Sequence, residues 1–180
     1  MASRTLLLDA CVMINLAATD RLADIATNRD TTFLLTQQVA GEVGYLRDIV
    51  GGELVTTPID LGQHTGAGTL QIVNLAPAEY STYIELARII DDGEASTIAA
   101  AVTRNLPVAT DDRKARRVCE QRGVPEPTRT LSLVRSHADA LGLDHAIIRD
   151  LLIKIRDRAS FLPSRSDPDY KWWNDHVGDP

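Results

Sequence analysis

The chain has 180 residues, 44% hydrophobic and 24% charged, with 25 acids against 19 bases. Such a length can bury roughly 70% of its unfolded surface in one core of about 16 Å radius. Two cysteines and ordinary Gly and Pro contents exclude disulfide-framework, collagen-like and disordered chains. With only 4% aromatic residues the core must be aliphatic. A net charge of −6 offers no global attraction to nucleic acid, so a polyanionic partner must meet a local basic patch or bound cations. The first apolar run is too short and too soon charged for a signal peptide or membrane span, which predicts a cytoplasmic protein without a membrane partner, Cys11 and Cys119 being reduced thiols.

In chain order, residues 5–8 form an apolar run stopping at Asp9, the pattern of a strand buried on both faces. Residues 11–28 predict two short helices around a turn at Thr19-Asp20. Residues 32–35 read as a strand, and a helix capped by Thr36 follows, with Val39, Val43 and Leu46 on one face and Glu42 beside that stripe. Glycines and prolines between 51 and 68 predict loops around a short extended piece at 53–56. A strand is expected over 70–75. Pro77 then opens a helix running to Ile90. Asp91-Asp92-Gly93 breaks it before an alanine-rich helix at 94–105. Residues 107–110 are a strand ending at Asp111-Asp112, and a helix over 113–122 is closed by Gly123.

This alternation predicts an α/β domain on a parallel sheet. After Pro125 and Pro127 the pattern is helical, at 131–141 and 144–159, followed by a polar tail bearing Tyr170, Trp172 and Trp173 that is expected to dock on the body. The division is therefore 1–125 for the α/β part and 126–180 for a helical extension and tail packed on it.

Ligands of open α/β sheets bind beyond the carboxyl ends of the strands. Parallel strands would bring Asp9 and the pair Asp111-Asp112 to one edge, and helices could carry Glu42 and Glu94 to it. No Lys or Arg lies within four residues of Asp9, Glu42 or Glu94. Several carboxylates in one cleft repel each other unless a cation neutralises them, and all-oxygen ligation suits Mg²⁺ or Mn²⁺. Such ions activate water and stabilise charge on a phosphodiester.

Each acid also has a purely local reading. Asp9 and Asp111 or Asp112 suit helix caps, Asp91 and Glu94 have capping-box spacing, and Glu42 suits a helix surface. Phosphate-binding glycine loops and a nucleophile elbow are absent, the histidines lack zinc-ligand spacing, and Cys11 reads as a packed thiol with no local base. Arg113, Lys114, Arg116 and Arg117 form a basic helix beside Asp112, either a solvated face or a grip on a nucleic-acid backbone.

Taken together, these residues resemble the PIN domain family, in particular VapC-type toxin-like ribonucleases. An Asp closing the first strand before a hydrophobic helix is matched by residues 6–16, with an Asn15-Leu16 ending. A helix-borne Glu is matched at 39–43, an acid opening an alanine-rich helix at 93–101, and a strand ending in Thr-x-Asp at 108–112. The resemblance covers residues 5–125. It implies a three-layer α/β sandwich with a parallel central sheet, here with a C-terminal helical extension, and a Mg²⁺- or Mn²⁺-dependent endoribonuclease. In that reading Asp9, Glu42, Glu94 and Asp112 hold the metal and are catalytic, with Asp111 assisting. Thr110, Arg113, Arg116 and Arg117 contact substrate. A homodimer and a small inhibitory antitoxin are further implied partners. Two features depart from the family pattern: Cys11 stands where Ser or Thr is usual, and the chain is longer than the compact toxins. The alternatives are a non-catalytic RNA- or protein-binding module on the same fold, and a divalent-metal DNA nuclease.

Overall fold

The structure, a computed structural model, describes residues 4–178. Four strands, β1 (Arg4–Leu8), β2 (Thr31–Thr36), β5 (Leu70–Val73) and β6 (Val108–Ala109), form a parallel sheet in the order β5-β2-β1-β6. The apolar run at 5–8 lies at its centre. Successive side chains of a strand point to opposite faces. Accordingly Leu6 and Leu8 enter one core while Leu7 enters the other.

The first core holds α1 (Ala10–Ala18) and α2 (Leu22–Asn28) together with the C-terminal helices α8 (Thr130–Leu141), α9 (His145–Ala159) and α10 (Tyr170–Val177). Its largest member, Trp173, is 1% exposed, and Trp172 packs against the same cluster, so the aromatic tail is docked. The second core receives α5 (Tyr80–Leu86), α6 (Asp92–Arg104) and α7 (Arg113–Gln121). Helices therefore cover both faces of the sheet, giving the three-layer α/β sandwich with its C-terminal helical extension. Alanines 95, 100 and 101 let α6 lie close against the sheet; each fully buried leucine, such as Leu7, contributes roughly 1.5–3 kcal/mol.

The largest departure from expectation follows Thr36. Thr36 does cap α3 (Gln37–Glu42) by accepting from the Val39 amide at 3.2 Å, but the helix stops at Glu42 and Leu46 belongs to a strand. Gly41 and Gly44 weaken helical continuation, and Val43 is extended. Residues 45–58 form an antiparallel hairpin, β3 (Tyr45–Val50) and β4 (Glu53–Pro58), in which Val50 pairs with Glu53 across Gly51-Gly52. Both glycines have positive φ (62° and 87°), as a two-residue type I′ turn requires. The hairpin is tied to the body by Arg158, which binds Asp48 at 2.9 Å and Asp20 at 2.7 Å. A short helix, α4 (Leu61–Gly66), precedes β5; α5 ends at Leu86, four residues before Ile90. Among the described residues no helix is long and apolar enough to cross a membrane.

Candidate active site

The sheet edge at the carboxyl ends of β1 and β6 is where the acids gather. Leu8 is paired with Ala109, so one residue further Asp9 and Thr110 emerge side by side. Asp9 is 5% exposed and caps α1, accepting from the Val12 amide at 2.7 Å. The buried Thr110 hydroxyl also bonds Asp9 and accepts from the Asp112 amide at 3.1 Å, joining the two acids. Asp112 caps α7 through Oδ1, which receives the Lys114 amide at 2.6 Å and the Ala115 amide at 2.8 Å.

Glu94 lies in the first turn of α6, whose cap Asp91 accepts its amide at 2.8 Å. Burial pushes the Glu94 carboxyl up to about 7, and the charges of Asp91, Asp112 and Asp9 add to the shift. Asp9 is likewise raised to about 7, chiefly by burial, against the lowering effect of its Thr110 and Val12 bonds and with Asp111 and Asp112 acting in the raising sense. Asp9, Glu94 and Asp112 thus share one electrostatic field although they come from three elements.

Glu42 reaches the same end of α6 from α3. Its Oε1 accepts the Gly93 amide at 2.9 Å, and its carboxyl is raised by burial and by Asp91 and Asp92. The two helices are fixed relative to each other by a 2.6 Å bond between the Thr36 and Ser96 hydroxyls. Glu42 borders the cluster through the Asp91 side.

Asp111 has a different setting. It accepts from the Thr130 amide (3.0 Å), the Thr130 hydroxyl (2.6 Å) and Asn15 Nδ2 (3.2 Å), so it anchors the start of α8. Burial nevertheless raises its pKa, with Asp167 adding to the effect. Thr130 is the structural partner that sequence reasoning did not single out, and the bonds from Asn15 and Thr130 to Asp111 span too much chain to be read locally; a buried Asn on the apolar face of α1 is the one local hint. Cys11, expected to be packed, is exposed beside the acids; partial burial first, and then the charges of Asp9, Asp111 and Glu94, push its thiol up to about 12.

None of Asp9, Glu42, Asp91, Glu94, Asp111 or Asp112 enters an ion pair among the described residues, whereas acids elsewhere commonly do. Nor do any three His, Cys, Asp or Glu side chains among those residues stand as a ready-made metal cage. The donor set still fits a hard divalent cation by its chemistry. It consists of carboxylate oxygens without cationic partners, two of them with affinity for a proton near neutrality.

Beside the acids runs a matching positive surface. Arg113, Lys114, Arg116 and Arg117 make no ion pair among the described residues, while Arg122 at the end of the same helix is paired with Glu85. Arg113 and Arg116 lie between two grooves of about 500 and 280 Å³, the smaller one also lined by Asp111. Arg116 Nε is shielded from solvent and has no hydrogen-bond partner. Acids able to attract a cation thus adjoin unpaired guanidinium groups able to attract a polyanion.

Compared with known families, the chain matches over residues 5–164 a domain described as a PIN domain, so the match runs past residue 125 through α8 and α9. No curated protein matches the chain.

Proposed function

The chain belongs to the PIN domain family, whose fold is of the nuclease type, and on that premise we propose that it is a metal-dependent endoribonuclease hydrolysing RNA phosphodiester bonds. The observation that carries this reading is the meeting of Asp9, Glu94 and Asp112 at one sheet edge without a cationic partner, beside the unpaired cations of α7.

Asp9, Glu94 and Asp112 would hold Mg²⁺ or Mn²⁺, with Glu42 bordering them and Asp111 fixing the neighbouring backbone. A bound ion of this kind supplies a lowered water pKa and charge stabilisation at the phosphoryl oxygens. Thr110 keeps Asp9 and Asp112 in register, its hydroxyl engaging both. Asp112 is held by two α7 amides that both bond Oδ1, and among the described residues no hydrogen bond to its Oδ2 is found. Arg113, Arg116 and Arg117 attract and orient the RNA backbone, guanidinium groups being suited to two-point contact with phosphate. A toxin role would place an inhibitor's basic side chain against these same unpaired acids.

The test is cleavage of unstructured RNA by the purified protein with Mn²⁺ or Mg²⁺, together with calorimetric metal titration of the wild type and Asp9→Asn. Cation-dependent cutting abolished by chelator and by Asp9→Asn is expected. Metal binding indifferent to Asp9→Asn, with no RNA cut, would overturn the reading; cutting of DNA but not RNA would replace its substrate.

A further inference from the structure

The smaller groove beside α7 has a construction that phosphate attraction alone does not require. Arg113 and Arg116 line it as cations unpaired among the described residues, together with the Asp111 carboxylate and the Arg129–Asp167 ion pair. Phe161 and Leu162 give it an apolar wall, and Ser164 and Ser166 also line it. Its volume of about 280 Å³ gives room for roughly one nucleoside and not for a base pair.

The connection carrying that wall, residues 160–169, is firmly held. Phe161 packs edge-on against the buried Trp173, with ring centroids 6.0 Å apart. Asp167 binds Arg129 at 3.2 Å, both side chains being nearly buried, and its carboxylate receives the Asp169 amide at 2.8 Å. Asp169 in turn accepts from Arg135 at 2.7 Å and from Ser132 at 2.8 Å on α8. The Ser164 and Ser166 hydroxyls bond each other at 2.9 Å. A wall ordered before binding loses little freedom on binding.

We propose that this groove is a nucleotide-recognition subsite, receiving one extruded nucleotide of single-stranded RNA next to the acidic edge. Arg113 and Arg116 hold its phosphate, Arg116 Nε gaining the acceptor it lacks. Phe161 and Leu162 take the apolar surface of the base, and the serine hydroxyls reach polar edges or the ribose 2′-hydroxyl. A base stacked within a duplex cannot enter such a groove, so single strands are preferred. Asp111 lines the groove and precedes Asp112, so the bound nucleotide lies next to the bond to be cut. The proposal rests on the nuclease reading for the position of that cut, and not for the binding.

The test uses the full chain and a fluorescein-labelled, unstructured 12-nucleotide RNA, with binding followed by anisotropy in EDTA so that cleavage is silent. Leu162 is 57% exposed and Ser166 is exposed, so Leu162→Ala and Ser166→Ala leave the core intact, whereas Phe161→Leu also touches Trp173. Leu162→Ala and Phe161→Leu are expected to weaken single-strand binding about threefold to tenfold, and duplex binding far less. In Mn²⁺, cleavage of a randomised RNA pool by Leu162→Ala and Ser166→Ala should show a broadened base preference beside the cut. Wild-type binding and wild-type cut positions in both variants would overturn the subsite. Equal binding of single-stranded DNA, equally sensitive to Ser166→Ala, would overturn its assignment to RNA. Binding that responds to these variants while no cation supports cleavage would uphold the subsite and remove the nuclease reading alone.

Discussion

Gly93 donates its amide to Oε1 of Glu42 at 2.9 Å, a contact between residues 51 positions apart, and the glycine's missing side chain is what makes room for the carboxylate. A Cβ at position 93 would overlap the Glu42 carboxylate. Because that carboxylate is the tip of a flexible side chain, Gly93→Ala should displace Glu42 and leave α6 in place. Alanine favours a helix by up to about 1 kcal/mol over glycine, which offsets the lost bond, so thermal stability should change little. Cleavage should fall as far as in Glu42→Ala, and the double variant should be no worse than either single one. Additive losses in that cycle would mean that Gly93 acts independently of Glu42.

Asp9 has an ordinary carboxyl pKa of 3.8 and about 7 in the fold, chiefly through burial. Between these values the folded state binds the extra proton. The resulting stabilisation is complete below pH 4 and lost as pH rises through 7, amounting to about 4 kcal/mol at most. Glu94 acts in the same sense, reduced by its partial exposure. Urea melts of the cation-free protein should therefore show Asp9→Asn gaining stability over the wild type between pH 5 and pH 8. Asparagine keeps the helix cap, so the gain is not cancelled. Parallel pH profiles for the two proteins would refute it.

Adjacent aspartates should respond in opposite ways. Asp111→Ala leaves two Thr130 donors and Asn15 without their acceptor and should cost about 2–4 kcal/mol in denaturant melts. Asp112→Asn retains an oxygen for the α7 amides and should stay within about 1 kcal/mol of the wild type. Its cleavage should nevertheless drop on the order of 100-fold or more. Comparable stability losses in both would contradict this division.

The cations of α7 should declare themselves in salt dependence. For single strands, log K falls with log salt by about 0.7 per phosphate contact. Removing Arg113, Arg116 and Arg117 together should flatten the slope by about 2. An unchanged slope would make them a solvated face only.

What could be read in the sequence was what local chemistry specifies. The buried runs before Asp9 and Asp111, the cap at Thr36 and the basic helix after Asp112 all declare themselves within a few residues. The cap readings of Asp9, Asp91 and Asp112 were correct as well, and they do not compete with the site: bonding at each helix start is what aims these carboxylates at a common edge. The helix expected beyond Glu42 failed because Val39, Val43 and Leu46 have helical spacing by coincidence, while Tyr45 to Val50 pair with a strand beyond two glycines. Asn15 could not be placed because its partner Thr130 is 115 residues distant. The nearness of Phe161 to Arg116 depends in the same way on how α9 packs.

The central position of β1 has a temporal consequence. Its neighbour β6 lies roughly a hundred residues later in the chain, and Asp111 is braced by Thr130 later still. During synthesis, a polypeptide still lacking that C-terminal half has Asp9 at a strand end without Glu94, Asp111 or Asp112. Any hydrolytic centre at this edge can arise only after most of the protein has left the ribosome.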